Sequence, residues 1–200
     1  MNIMNEILIQ KYISVARFSK YRSMEHYEQN LLLSKQYYIP LSVLEVSLRN
    51  RINDHFEKTY GAGWLINEAA FLRSDQIRKI EAAKAKILER RESTTKDKLI
   101  AELSFGFWVN LFKKAYEHQM RINNLKHIFS NFPGKEERVI NRKEIFTFLN
   151  RIRNFRNRIF YYEKIIDKPE YDNINEDINT MLLYLGEDIL QFVQRLNHAH

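Results

Sequence analysis

Amide and guanidinium side chains are concentrated between residues 150 and 161. On a helix with about 100° between successive residues, three asparagines and one tyrosine share one face: Asn150, Asn154, Asn157 and Tyr161. Arg153 and Arg158 flank this face, and Arg151 lies just beyond Arg158. Amide and guanidinium groups bind phosphates, ribose hydroxyls and base edges. The segment therefore predicts a surface for nucleic-acid contacts, although the amides could instead cap or bridge neighbouring helices.

Two tyrosine pairs could add stacking surfaces for unpaired bases: Tyr37 with Tyr38, and Tyr161 with Tyr162. The chain contains 13 Phe, 11 Tyr and 2 Trp. Most aromatic residues, including Trp64 and Trp108, are therefore expected in the core.

A second segment is similar in sequence to the first. LRNRINDHF at 48–56 is similar to FRNRIFYYE at 155–163. In the earlier copy Arg49 is followed six residues later by His55, and an imidazole can transfer a proton near neutral pH. If the two helices pack together, Arg49 and His55 are an alternative pair of catalytic candidates.

Composition excludes several kinds of site. The 200 residues contain no Cys, which rules out disulfide scaffolds, thiolate-bound zinc and cysteine nucleophiles. There is no His-Glu-x-x-His motif, and His118 and His127 would point to opposite faces of a continuous helix. Glycine-rich phosphate loops are also missing. We expect neither a metal nor another cofactor.

The net charge of +7 is unevenly distributed. Residues 141–166 carry seven basic and two acidic groups, and five of the seven are arginines. Residues 167–200 carry two basic and seven acidic groups. The positive charge is thus concentrated where the amides lie, which favours a polyanionic partner.

The apolar pattern predicts an all-α fold in a single domain spanning residues 1–200. Only five Gly and three Pro interrupt the chain, and apolar residues recur at three- and four-residue spacing. One such stripe faces the core: Ile145, Phe148, Ile152, Phe155 and Ile159. We expect about seven or eight helices, near 5–20, 24–38, 41–59, 74–91, 96–103, 105–130, 136–161 and 170–197, the last being acidic. The apolar runs are too short for a signal peptide or a membrane span, which favours a cytoplasmic protein without a membrane partner.

Three runs of the sequence resemble the signatures of one protein family, in the same order. They are YYIPLSVLEVSLRNRINDHFEKTYGAGWL at 37–65, LSFGFWVNLF at 103–112 and FLNRIRNFRNRIFYYEKI at 148–165. The first contains the pattern L-E-x-x-L-R-N followed by Gly and Trp-Leu. Together the runs resemble the Abi-like family of abortive-infection proteins, over residues from about 20 to 165.

The resemblance implies a HEPN-like helical bundle. Many HEPN proteins are metal-independent RNA endonucleases of toxin–antitoxin, anti-phage and CRISPR-associated systems. Their motif is an Arg with a His about four to six residues further on. In RNA the 2′-hydroxyl is the nucleophile, and the His can accept its proton. The Arg can stabilise the charge that develops at phosphorus. HEPN proteins commonly combine motifs from two domains, so the resemblance also implies a homodimer.

The third run departs from the family pattern at its histidines. Arg156, Asn157 and Glu163 match, but Tyr161 and Tyr162 stand where the family usually has two histidines. The pKa of a tyrosine hydroxyl is ordinarily about 10, which makes tyrosine a poor general base at pH 7. Its hydroxyl can still hydrogen-bond a phosphate. Arg156, Asn157 and Tyr161 are therefore the candidate residues of a degenerate ribonuclease motif.

The function expected from these observations is RNA binding in bacterial anti-phage or toxin–antitoxin defence, by a homodimer. A structured non-coding RNA is a partner that the resemblance implies. The predicted RNA contacts are Asn150, Arg151, Arg153, Asn154 and Arg158. Two alternatives stay open. One is an active metal-independent endoribonuclease that uses His55 or Tyr161, and the other is a protein-interaction module with the tyrosine pair at a dimer seam.

Overall fold

Residues 3–134, 136 and 140–198 are described by a computed structural model of the chain. Over these residues the backbone forms helices joined by turns, with no β-strand, which confirms the predicted all-α class. The α-helices are α1 (Ile3–Leu8), α2 (Val15–Phe18), α3 (Met24–Gln36), α4 (Tyr38–Tyr60), α5 (Ser74–Glu89), α6 (Lys96–Glu102), α7 (Phe105–Asn110), α8 (Ile122–Ile128), α9 (Arg142–Phe160), α10 (Ile174–Leu185) and α11 (Glu187–His198).

Helix α4 lies at the centre of the fold. It contacts α3, α6, α7, α8, α10 and α11. Its buried stripe has the spacing of one helical face: Leu41, Leu44, Leu48, Ile52 and Phe56. Trp64 follows this helix and its indole Nε1 donates a hydrogen bond to Asn53 Oδ1 at 3.1 Å. Both Trp64 and Trp108 are buried, as the sequence predicted.

Helix α9, which carries the Arg- and Asn-rich segment, begins at Arg142 and not near residue 136. The start is fixed by a capping box, in which the Asn141 side chain accepts from the backbone of Glu144 and the Glu144 carboxylate accepts from the backbone N–H of Asn141. The predicted start lies next to residues 135 and 137–139, which are outside the described residues. The buried stripe contains Leu149 in place of the predicted Phe148, which is only half-buried.

The single helix predicted over 105–130 is wrong. The chain instead forms α7, a 3-10 turn at Lys114–Tyr116 and α8. Phe107, Trp108 and Val109 are consecutive and all buried, so α7 has no solvent-facing side. Tyr116 is also buried, and its hydroxyl accepts a hydrogen bond from the Arg73 backbone N–H at 3.1 Å. Burial on several sides favours short helices that change direction.

Two other predicted helices are divided. The segment 170–197 forms a 3-10 turn at Pro169–Tyr171, then α10 and α11, which are separated at Gly186. Gly186 ends α10 with an extended backbone, and a Cβ at this position would lie 2.5 Å from Oδ1 of the exposed Asp188 side chain, which would have to move. The segment 5–20 is interrupted at Ser14, whose φ of 78° lies in the left-handed region. A π-helical turn, Ile9–Ile13, precedes it.

Within the described part of the chain, none of the helices has both the length and the apolar character needed to cross a bilayer.

Candidate nucleic-acid interface

Two of the predicted contact arginines on α9, and the catalytic candidate Arg156, form ion pairs with carboxylates of this chain. Arg151 Nε lies 3.0 Å from Asp177 Oδ2 on α10. Arg158 Nη1 lies 3.0 Å from Glu163 Oε2, and its Nε donates to the Tyr171 hydroxyl at 3.2 Å. Much of the positive charge counted along this segment is therefore offset by nearby carboxylates.

Arg156 joins α9 to the amino-terminal half of α4. Its Nε and Nη2 both lie 3.2 Å from Glu45 Oε2, and its guanidinium lies 4.2 Å from the centroid of the Phe160 ring. Glu45 is the glutamate of the L-E-x-x-L-R-N run. The first and third runs thus meet at this ion pair.

Arg153 differs from its neighbours because no carboxylate of the described residues pairs with it. Its Nη1 donates to Asn110 Oδ1 at 3.4 Å, and its Nη2 donates to Asn154 Oδ1 at 3.3 Å. Burial lowers the pKa of the guanidinium, which stays charged at neutral pH. Its stem passes Gly106, where a Cβ would lie 3.5 Å from Arg153 Cδ. Asn110 and Gly106 belong to the second run, which therefore meets α9 as well.

The amide strip of α9 faces outward. Asn154 is exposed, and Asn150 and Asn157 are half-buried. Among the described residues, the amides of Asn150 and Asn157 form no hydrogen bond to a neighbouring helix. These two amides are available to a ligand.

Four aromatic side chains are exposed where α9 ends. Tyr161 is 69% exposed and caps the helix, and Tyr162 is 74% exposed with a φ of 57°. Tyr38, at the start of α4, is 59% exposed, and its ring centroid lies 6.3 Å from that of the 38% exposed Phe160. Exposed aromatic rings at one place are suited to stacking against a flat partner.

A groove of about 310 Å³ lies beside these tyrosines, against the segment that contains α2. We call it the tyrosine groove and define it by Arg17, Lys20, Tyr161, Tyr162 and Lys164. The Arg17 guanidinium donates to the main-chain carbonyl of Tyr162, which fixes the turn against α2. A second cleft of about 380 Å³ shares Lys20 and Lys164 and adds Lys168.

Cations exceed carboxylates around the tyrosine groove. Lys164 Nζ lies 3.3 Å from Asp167 Oδ2, and Glu163 is paired with Arg158. Arg17 and Lys20 form no ion pair within the residues that the structure describes. Sequence reasoning missed both, because the charges of residues 1–72 nearly cancel and because more than a hundred residues separate them from Tyr161.

The alternative pair Arg49 and His55 lies elsewhere. Arg156 reaches α4 at Glu45, and Phe160 lies beside Tyr38, so α9 runs toward the beginning of α4. His55 follows Glu45 by ten residues, which is about 15 Å along the helix in the other direction. The structure therefore brings Arg156 near the tyrosines but does not bring His55 to them. Arg49 lines a separate cleft, and its Nε is buried without a hydrogen-bond partner.

The described residues contain no group of three or more His, Cys, Asp or Glu that is placed to hold a metal ion. Comparison of the chain with protein-family models, curated proteins and solved structures found no match.

Proposed function

We propose that the protein binds single-stranded RNA at the tyrosine groove. The observation that carries the proposal is the juxtaposition of two exposed tyrosines, Tyr161 and Tyr162, with Arg17, Lys20 and Lys164. Cations beside a flexible strand attract its phosphates, and aromatic rings stack on unpaired bases whatever their sequence. Bases of a duplex are already stacked on one another, so the same surface favours a single strand.

The amide strip extends this surface along α9. Asn157, Asn154 and Asn150 follow Tyr161 on one helical face, over about 17 Å. Their side-chain amides can donate to phosphate or base oxygens and accept from ribose hydroxyls. Arg153 lies at the edge of the strip, and no carboxylate of the described residues offsets its charge. An RNA strand that enters at the tyrosines has further partners along this helix.

The role that we propose for RNA binding is bacterial anti-phage or toxin–antitoxin defence by an Abi-like, HEPN-type protein, with a structured non-coding RNA as partner. The resemblance of the three runs supports this role, as does the meeting of all three at Arg153 and Arg156 on α9. Tyrosines stand at the motif histidines, and tyrosine is a weaker general base than histidine at pH 7. We therefore propose binding without cleavage.

The proposal is tested by the anisotropy of a short, unstructured, labelled RNA at several salt concentrations. We expect Lys20→Ala to weaken binding and to reduce the salt slope by about 0.7, the value for one phosphate contact to a single strand. Tyr161→Ala is expected to weaken binding about tenfold, whereas Tyr161→Phe keeps most of the affinity because the ring remains. Neither change should affect stability, since both side chains are exposed.

Lys114→Ala is the matched control, because Lys114 is exposed, forms no ion pair among the described residues and lines neither cleft. Absent RNA binding, or equal losses for Lys20→Ala and Lys114→Ala, would contradict the proposal. Cleavage of the RNA without added metal would contradict its second part. A chain that binds no RNA but dimerises through Tyr161, so that Tyr161→Ala yields monomers in sedimentation, would support a protein-interaction module instead.

A further inference from the structure

A polar cavity of about 500 Å³, separate from the clefts described above, lies between the carboxyl-terminal half of α4 and α8. His55 and His127 both line it, and their rings stack with centroids 5.7 Å apart and planes 14° apart. The cavity is distant from the tyrosine groove. His55 follows Tyr38, which marks the groove end of α4, by seventeen residues, or about 25 Å of helix.

His55, one of the residues that line this cavity, has a buried polar atom without a partner. The residue is only 7% exposed, and its Nε2 has no hydrogen-bond partner. Burial lowers the pKa of this imidazole, as do the neighbouring His127 and Lys58. A buried nitrogen without a partner is costly to the folded state, and nearly all such atoms in proteins find one. A ligand that hydrogen-bonds to Nε2 would supply the missing partner.

The charged lining of the cavity favours an anion. Arg51, Lys58 and Lys126 face a single carboxylate, that of Asp54. Within the described residues, neither Lys58 nor Lys126 forms an ion pair. The Arg51 guanidinium donates to the carbonyls of His127 and Ile128, at 2.9 and 3.1 Å. Since these carbonyls form the negative end of α8, the guanidinium covers the group that would otherwise repel an anion.

We propose that the cavity between His55 and His127 binds a dianionic phosphate group, either free phosphate or a phosphate monoester. Two parallel imidazoles can each donate to a different oxygen of one phosphate, and the lysine ammonium groups supply further donors and charge. A dianion matches the charge of the lining. The cavity holds three permanent cations and one carboxylate, which leaves two positive charges in excess before either imidazole is protonated. The proposal is independent of RNA binding at the tyrosine groove.

The experiment follows the imidazole ¹⁵N resonances of the full chain during titration with sodium phosphate, against sodium chloride at equal ionic strength. Phosphate is expected to shift the His55 and His127 signals and to raise the pKa of His55, because a bound anion favours the imidazolium. His118 is exposed, lies outside the cavity lining and serves as the internal reference. His127→Gln and Lys58→Gln should each weaken phosphate binding about tenfold. His118→Gln should leave it unchanged.

Two dinucleotides, one with a 5′-phosphate and one without, distinguish the sources of the phosphate. If only the phosphorylated dinucleotide competes with inorganic phosphate, the ligand is an RNA end. If neither dinucleotide competes, the ligand is free phosphate. Competition by both would overturn the proposal, since a diester would then suffice. So would phosphate effects no larger than those of chloride, or equal effects on His118. His127 and Lys58 are exposed, so their variants should fold, and Lys20→Ala should leave phosphate binding intact.

Discussion

The arginines of α9 and the cations of the tyrosine groove carry the same charge in different surroundings. Arg151 and Arg156 each lie beside a carboxylate of a neighbouring helix, Asp177 on α10 and Glu45 on α4. Lys20 in the groove has no such partner among the described residues. In the first case the charge stabilises the contact between two helices, and in the second it is available to a ligand.

This difference shows why a count of charges along the chain locates a binding surface poorly. The segment 141–166 has the largest excess of positive charge, yet Arg151 and Arg156 pair with acidic residues that are distant in sequence. Residues 1–72 have almost no excess, yet they contribute Arg17 and Lys20 to a site where cations predominate. What matters for a polyanion is the charge left unpaired after folding.

The largest effect is expected from Arg151→Ala, which leaves the 4% exposed Asp177 without its cation. We expect a loss of about 2–3 kcal/mol in the free energy of unfolding at pH 7, less than for a fully buried pair because Arg151 is itself one-third exposed. Urea denaturation measures this value. RNA affinity should stay near that of the unmodified protein, because Arg151 already has an internal partner.

The pH dependence of this variant supplies a second test. Burial already raises the pKa of Asp177, against the attraction of Arg151, so removal of Arg151 should raise that pKa further. A folded state that holds the proton more tightly than the unfolded state gains stability as pH falls. The loss should therefore shrink from pH 7 toward acid, and Asp177→Asn added to Arg151→Ala should restore most of the stability. A loss independent of pH would show that packing, and not the buried carboxylate, is responsible.

A smaller loss, about 2 kcal/mol, is expected from Arg156→Ala. The substitution removes two contacts to Glu45 and the guanidinium over Phe160. Because both ion-pair partners are more than two-thirds buried, a double-mutant cycle with Glu45→Ala should give a coupling energy of at least about 1 kcal/mol. Additive losses would mean that the pair does not join α9 to α4 energetically, and Arg156 would then be free for RNA.

Local sequence signals predicted much of the fold. The helices at 24–38, 41–59, 74–91 and 96–103 were predicted within a few residues of α3 to α6. Apolar residues recur at helical spacing in α4 and α5, and the capping residues Ser23 and Thr95 precede α3 and α6. The prediction over 105–130 failed because apolar residues occur on every side of residues 105–112, so periodicity could not show where the chain turns. The segment 170–197 was predicted as one helix, but the extended backbone of Gly186 ends α10.

The sequence could predict residues of the candidate site only where they lie on a single helix. Helical spacing correctly placed the outward strip that contains Asn154 and the core stripe that contains Ile152. Spacing could not reveal that Glu45 and Asp177 approach the arginines of α9. Nor could it show that Arg17 and Lys20 lie beside the tyrosine pair. These contacts join parts of the chain that are distant in sequence.

Among the α9 arginines, the smallest effect on stability is expected from Arg153→Gln, because Arg153 has no carboxylate partner within the described residues. This substitution leaves no carboxylate behind and removes a charge that burial disfavours, so the free energy of unfolding should change by less than about 0.5 kcal/mol.

Arg153 also helps, with burial and Lys113, to lower the pKa of Lys79, and that pKa should rise in the Arg153→Gln variant. RNA affinity should fall, with a salt slope reduced by about 0.7. The opposite result, a stability loss as large as that of Arg156→Ala with RNA affinity unchanged, would place Arg153 among the structural arginines and confine the RNA surface to the tyrosine groove.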